Sequence, residues 1–321
     1  MKFLQEAFRN MHPLLQFVLI TSIAAVGLSL ATTIAFHISG CLCGTSSDEA
    51  EYLAVLMDTT SEKGICSNLV LNDLNQILTF FGAGLVYCLL FGKGIGVGFN
   101  QEGKSNSLIK FIACCVGLTV LSLPFLDLSY RFNHWLIEGT SLFDIAHKYE
   151  ETALKVTKAM LDMDTTNELA IILFSVAILP AIAEELLFRG ALQPMFARWS
   201  GNIHVGIWVS AILFSAIHFQ FFGFIPRVLL GAGFGYLVVA SGSIWTAIAC
   251  HFINNAIAVL EAWFFKEEFL KAGLDPSSEV WGASNYVMAI VFGLLFILLL
   301  RKTKALSVMK QNESKYLGLE Q

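Results

Sequence analysis

Charge is what this sequence has least of. Of its 321 residues only 14% are Asp, Glu, Lys or Arg and 56% are hydrophobic, against about 25% charged in an ordinary soluble domain. With a mean hydropathy of +0.67 the chain falls outside the soluble class and reads as an integral membrane protein. The formal net charge of −5 gives no sign of nucleic-acid binding, because the charge is divided between two membrane faces. No cleavable signal peptide is evident either. The first apolar run follows MKFLQEAFRNMHP, lasts about 25 residues and lacks a small-residue cleavage site, so it reads as a retained span. The run GKGIGVGF at 92–99 lacks the strand-turn-helix setting and the Gly-Lys-Ser/Thr ending of a phosphate loop, which leaves a span-to-loop junction. Internal repeats and low-complexity linkers are absent as well.

What is present is a series of apolar runs. Segments long enough to cross roughly 30 Å of hydrocarbon at 1.5 Å per residue fall near 14–38, 74–91, 108–128, 167–192, 203–222, 226–241, 244–264 and 283–300. The expectation is an all-α polytopic bundle of about eight spans. Lys2 and Arg9, then Lys93, Lys104 and Lys110, then the basic tail from Arg301, place both termini on the cytoplasmic side. The acid-rich connections at 39–73 and 265–282 face outward. Cys41, Cys43 and Cys66 share the first of these, where a disulfide can form, and an odd number leaves its pairing open. Cys88, Cys114, Cys115 and Cys250 lie within spans and read as packing residues.

Residues 141–164 differ from the spans. Leu142, Ala146, Tyr149, Ala153, Val156, Met160 and Met163 repeat every three or four residues, with Lys148, Glu150, Glu151, Lys155 and Lys158 mostly off that stripe. This predicts an amphipathic helix on the membrane surface or over a cavity mouth. Thr165 and Glu168 then have the spacing of a capping box that opens the fourth span.

Inside that span stands AIAEELLFRG, residues 181–190, with three charges where a membrane helix normally has none. Such charges cost a few kcal/mol each unless they pair or line a wet cavity. Glu185 and Arg189, four apart, can meet on one helix face, whereas Glu184 points about 100° away and is left for other work. Pro180 removes one helical hydrogen bond and predicts a kink just before Glu184. The fifth span carries Phe214 and His218, and the seventh carries His251 and Asn255, each pair four apart. If the fourth and fifth spans form a hairpin about Gly201, Glu184 lies 17 residues before the turn and His218 17 after it. Both would then stand about 25 Å along their helices. This requires the fourth helix to continue to about Arg198 despite Pro194. His251 matches that depth only if the turn near Gly242 is set deep.

A carboxylate, two imidazoles and an amide in one cavity can hydrolyse an amide bond by two routes. Glu184 can act as general base on a water held by His218, with His251 and Asn255 at the oxyanion. Alternatively Glu184, His218 and His251 can bind one zinc-like divalent ion that makes the nucleophile. The His-Glu-x-x-His, Gly-x-Ser-x-Gly and paired-aspartate signatures of other proteases are missing. A second class is a catalytically silent immunity or scaffold protein, or a proton-coupled transporter using the same groups as a relay.

Glu184-Glu185-x-x-x-Arg189, Phe214-x-x-x-His218 and His251-x-x-x-Asn255, in that order, resemble the three motifs of the CPBP family of intramembrane proteases. That family groups CAAX prenyl endopeptidases with Abi-type and bacteriocin-processing relatives. The resemblance implies an endopeptidase acting on a membrane-associated or lipidated protein or peptide at the lipid bilayer. Glu184 and His218 would activate water, His251 and Asn255 would serve the oxyanion or complete a metal site, and Glu185 and Arg189 would support them. The chain accordingly divides into three amino-terminal spans (1–140), the amphipathic helix (141–164), a CPBP-like core (165–262) and a last span with its tail (263–321).

Overall fold

The computed structural model describes residues 8, 11–45, 47–91 and 105–271, with four single positions between 287 and 294; for 105–112, 114, 115 and 118 it describes the backbone alone. Among the described residues the fold is all-α, without a strand. In chain order the helices are α1 (Pro13–Leu42), α2 (Glu49–Met57), α3 (Glu62–Phe91), α4 (Ser105–Ile137) and α5 (Phe143–Leu161). There follow α6 (Thr166–Ser200), α7 (Ile203–Ala216), α8 (Phe224–Ser241), α9 (Ile244–Phe264) and the short α10 (Lys266–Lys271).

Local chemistry sets these ends. The Ser61 hydroxyl accepts from Gly64 N at 3.1 Å to open α3. At α6 the Thr165–Glu168 capping box forms in both directions. Gly201 and Gly242 close α6 and α8 with φ of 64° and 67°, a left-handed conformation that costs glycine nothing. α6 does run through Pro194 to Ser200, as the hairpin about Gly201 requires.

Among the described residues five helices are long and apolar enough to cross a membrane: α1, α3, α6, α8 and α9. The chain is an integral membrane protein by that measure. The expected count of about eight is not reached among the described residues, for three local reasons. The 108–128 run lies in α4, part of which is described as backbone only, and 283–300 lies outside the described residues save for single positions. The 203–222 run yields only the 14 residues of α7. After Ala216 the chain turns, Phe219 adopts a left-handed φ of 52°, and Asn133 of α4 donates to the Phe221 and Phe222 carbonyls at 2.5 and 2.7 Å. Those carbonyls are thereby satisfied outside a helix.

Two apolar cores flank the centre. One joins α7, α8 and α9 through Ile207, Ala211, Phe234, Val238, Ala247 and Cys250. The other joins α1, α3 and α6 through Ile20, Ala83, Tyr87, Leu187, Phe188 and Met195. α3 and α6 cross backbone to backbone: a Cβ at Gly84 would lie 2.9 Å from Leu186 C and Leu187 N. Across the same helices Tyr87 Oη accepts from Arg198 Nη2 at 2.9 Å and donates to Gln16 Oε1 at 3.1 Å. Of Cys41, Cys43 and Cys66, the last two are joined, tying the end of α1 to α3, and Cys41 is free and exposed.

α5 lies over the cavity side of the bundle, where Thr157, Met160 and Leu161 line the opening. Its shielded face takes in Ala146, Ala153, Val156, Met160 and Met163 of the stripe read in the sequence. Leu142 and Tyr149 of that stripe are exposed, and Glu150, off it, is buried. The reason is the turn after α7, which brings Phe222 against His134, Phe143 and His147 and takes Glu150 beneath α5. Burial pushes the Glu150 carboxyl above its ordinary 4.5, against the Phe222 N–H, the Arg227 charge and the Phe221 N–H, which hold it down. A carboxyl raised on folding contributes stability that is fully present below about pH 4.5 and lost as pH rises through the folded value. Glu150→Gln cannot ionise, so it is expected to melt above the native chain near pH 8 and to converge with it near pH 4. Parallel melting curves across that range would show that the native carboxyl is not strained by its burial.

Candidate active site

Among the described residues three π-helical segments interrupt the long helices: Gln76–Phe81 in α3, and Leu173–Ile178 and Phe188–Leu192 in α6. Each widened turn frees backbone groups and re-aims side chains, which is why such segments gather at functional sites. The break predicted at Pro180 is of this kind. Proline has no N–H for the carbonyl four residues back, that of Val176, and Asn255 Nδ2 supplies the missing donor at 3.1 Å. The next freed carbonyl, Ser175 O, accepts from Asn72 Nδ2 at 3.0 Å. Asn255 thus caps an interrupted helix, and Asn254 Nδ2 donates to its Oδ1 at 3.3 Å.

The charged cluster divides as its spacing indicates. Glu185, fully buried, accepts from Arg189 Nη1 at 2.9 Å, and Arg189 Nη2 donates to Gly231 O of α8 at 2.8 Å. The guanidinium also lies 4.9 Å from the centre of the Phe214 ring and 5.6 Å from that of Phe234, a cation–π setting. Glu185 has a second partner that spacing alone does not reveal, His251 Nδ1 at 2.9 Å. A carboxylate acceptor places the proton of the neutral ring on Nδ1 and leaves Nε2 with a lone pair. That Nε2 faces Glu184 Oε2 at 3.9 Å, too far for a direct hydrogen bond. In the α8–α9 turn that precedes His251, Ser243 and Ile244 are shielded from solvent.

Glu184 is buried and lines a cavity of about 580 Å³ together with His218, His251, Asn254 and Asn255. His218 Nδ1 meets Phe214 O at 2.7 Å; a carbonyl only accepts, so Nδ1 carries the proton and Nε2 is free to accept. The motif residues Glu184, His218, His251 and Asn255 therefore share one cavity, with Glu185 and Arg189 packed directly behind. Among the described residues no three His, Cys, Asp or Glu side chains are grouped to hold an ion. The two oxygens of Glu184 instead point apart, one to an amide and one toward His251.

That amide is Gln76, which the sequence reading missed. From the π segment of α3 its Nε2 donates to Glu184 Oε1 at 2.9 Å, and its own Oε1 is buried without a partner. The signal was an amide side chain at the head of the apolar run QILTFF, but nothing local marks its partner 108 residues away. Gln76 fixes one carboxylate oxygen and leaves the other for chemistry. Gln76→Leu is expected to lower turnover roughly 10-fold or more, because about 1.5–3 kcal/mol rides on a hydrogen bond to a charged group, with little change in KM. An unchanged kcat would show that Glu184 needs no such support. Arg227, another cavity residue that the sequence reading passed over, is the only basic residue in α8.

A family model described as Rce1-like, type II CAAX prenyl endopeptidase Rce1-like, matches residues 166–257. The uncharacterized protein YpbD of Bacillus subtilis (strain 168) is 30% identical over 91 residues, 27% of this chain and 43% of that protein. The sporulation-killing factor biosynthesis protein SkfC of the same organism is 33% identical over 217 residues, 65% of this chain and 39% of that protein. The chain thus spans about two fifths of the length of the curated relatives it matches. No solved structure matches it. The matched stretch runs from the capping box of α6 to the middle of α9 and holds Glu184, Glu185, Arg189, His218, His251 and Asn255. Over this segment the chain is similar to the Rce1-like family of type II CAAX prenyl endopeptidases.

Proposed function

We propose that the chain is an intramembrane endopeptidase that hydrolyses a peptide bond of a membrane-associated or lipidated protein or peptide. The observation that carries this reading is the shared cavity, in which a carboxylate held by one oxygen faces two imidazoles with free Nε2 atoms. A water donating one hydrogen to Glu184 Oε2 and the other to His218 Nε2 would turn its lone pair toward a peptide carbonyl. Glu184 takes the proton as the water oxygen bonds to the carbonyl carbon. The carbonyl oxygen becomes the oxyanion, opposite the second N–H of Asn255. Collapse breaks the C–N bond, and Glu184 returns its proton to the leaving nitrogen. Glu185 and Arg189 hold His251 in this geometry and touch no reacting atom.

The protease family of residues 166–257 and the low charge of the bundle support the same reading. The site, in this proposal, works at the membrane of a bacterial cell with both termini in the cytoplasm. The test is peptide cleavage by the purified full chain in liposomes, run with and without a chelator beside Glu184→Gln. Cleavage that stops with Glu184→Gln supports the proposal, and the chelator arm separates a metal-assisted route from a metal-free one. A folded native chain that cleaves no member of a broad peptide library would end it.

A further inference from the structure

Arg189 and Arg227 are both guanidiniums in the bundle, yet of the two only Arg189 contacts a carboxylate. Arg189 has Glu185 at 2.9 Å, whereas Arg227 donates only to the neutral Gln220, through Nη1 to its backbone O at 3.3 Å and through Nη2 to its Oε1 at 2.7 Å. Arg227 makes no ion pair among the described residues. The fields of Glu150 and Glu184 reach it without contact. It also stands in the first turn of an 18-residue helix, where the helix end is itself positive. A cation so placed costs free energy unless it pairs or faces a wet cavity, and Arg227 lines the cavity that holds Glu184 and His218.

We propose that Arg227 is the anion-holding residue of this cavity and takes a carboxylate of the peptide substrate, a reading that rests on the proposed protease function. The planar guanidinium keeps donors beyond the two given to Gln220, in the fork that matches a carboxylate. Its position is built. Gly223 leaves the space it lies across, since a Cβ there would sit 2.6 Å from Arg227 Nη2. On the same cavity the unpartnered Oε1 of Gln76 offers an acceptor to a peptide N–H. A chain bound to both would present a nearby carbonyl to Glu184 and His218. The carboxylate is a peptide's free C-terminus or an Asp/Glu side chain, two sources of one chemistry.

The test measures binding, so it does not depend on turnover. The full chain carrying Glu184→Gln is titrated with three peptides of one sequence: a free acid, a C-terminal amide lacking acidic residues, and that amide with one Asp. The free acid or the Asp peptide should bind about 10- to 100-fold more tightly than the plain amide, and whichever does so names the source. Arg227→Gln should erase the difference, Arg227→Lys should restore part of it, and Gly223→Ala should weaken it by displacing the guanidinium. A melting curve for each variant separates lost binding from lost fold. Equal binding of all three peptides overturns the proposal, as does an unchanged preference in Arg227→Gln. An Arg227-dependent response to short-chain phosphatidylglycerol alone also overturns it, because the residue would then be a headgroup site. If the native chain cleaves nothing while the carboxylate preference stands, the protease reading fails and the anion site survives.

Discussion

Glu184→Gln is expected to lower kcat for peptide hydrolysis by a factor of about 100 to 10,000, the range that a positioned general base contributes, while leaving the chain folded and membrane-inserted. The substitution is nearly isosteric, and the cavity face of residue 184 is open. The cost therefore falls on proton transfer and not on packing. KM should change little, because the carboxylate touches the attacking water and not the remote parts of the substrate. His218→Ala should act in the same direction, since His218 Nε2 is the second acceptor proposed for that water and Nδ1 is committed to Phe214 O. Turnover by Glu184→Gln within about threefold of the native chain would remove Glu184 from the chemistry. It would return the cluster to a bracing or proton-relay role.

The second large effect concerns stability. Arg189 is among the largest fully buried side chains, and its partner Glu185 has no exposure at all. Removing one member of such a pair strands a charge in a low-dielectric interior, at about 3–5 kcal/mol. Arg189→Met is therefore expected to lower the melting temperature of the purified chain by many degrees and to abolish activity through His251, whose Nδ1 shares Glu185 Oε1 with Arg189. The double variant Arg189→Met with Glu185→Met should be more stable than Arg189→Met alone, because it leaves no unpaired charge. It should still be inactive, since His251 then loses its orienting acceptor. Additive losses in the double variant would mean that the two side chains contribute through packing alone and not as a pair.

Some of this site can be read along one helix. The Glu185/Arg189 pair needs only the four-residue spacing of α6, and it forms as that spacing implies. The break at Pro180, the capping box at Thr165 and the hairpin through Gly201 are likewise local, each decided by one residue's backbone chemistry. Other features have no local signal. Gln76 meets Glu184 across 108 positions, and Glu185 meets His251 across 66. Periodicity cannot pair residues that only the packing of α3 and α9 against α6 brings together. The burial of Glu150, off the α5 stripe, lacks a local signal for the same reason. A helix's buried face is set by what packs on it, and the turn at Phe221 and Phe222 draws Glu150 inward.

The sequence by itself determined that this chain sits in a membrane, that it is helical, and which helices carry ionisable groups at a cost that calls for a use. Hydropathy, helix periodicity and proline stereochemistry act within one segment, so they survive without knowledge of the rest. Only the tertiary structure decided the partners: Gln76 on Glu184, His251 on Glu185, and Asn255 on the carbonyl that Pro180 leaves without a donor. Those bonds link groups far apart in the chain, and a buried polar group is satisfied by whatever the packing places within about 3 Å of it.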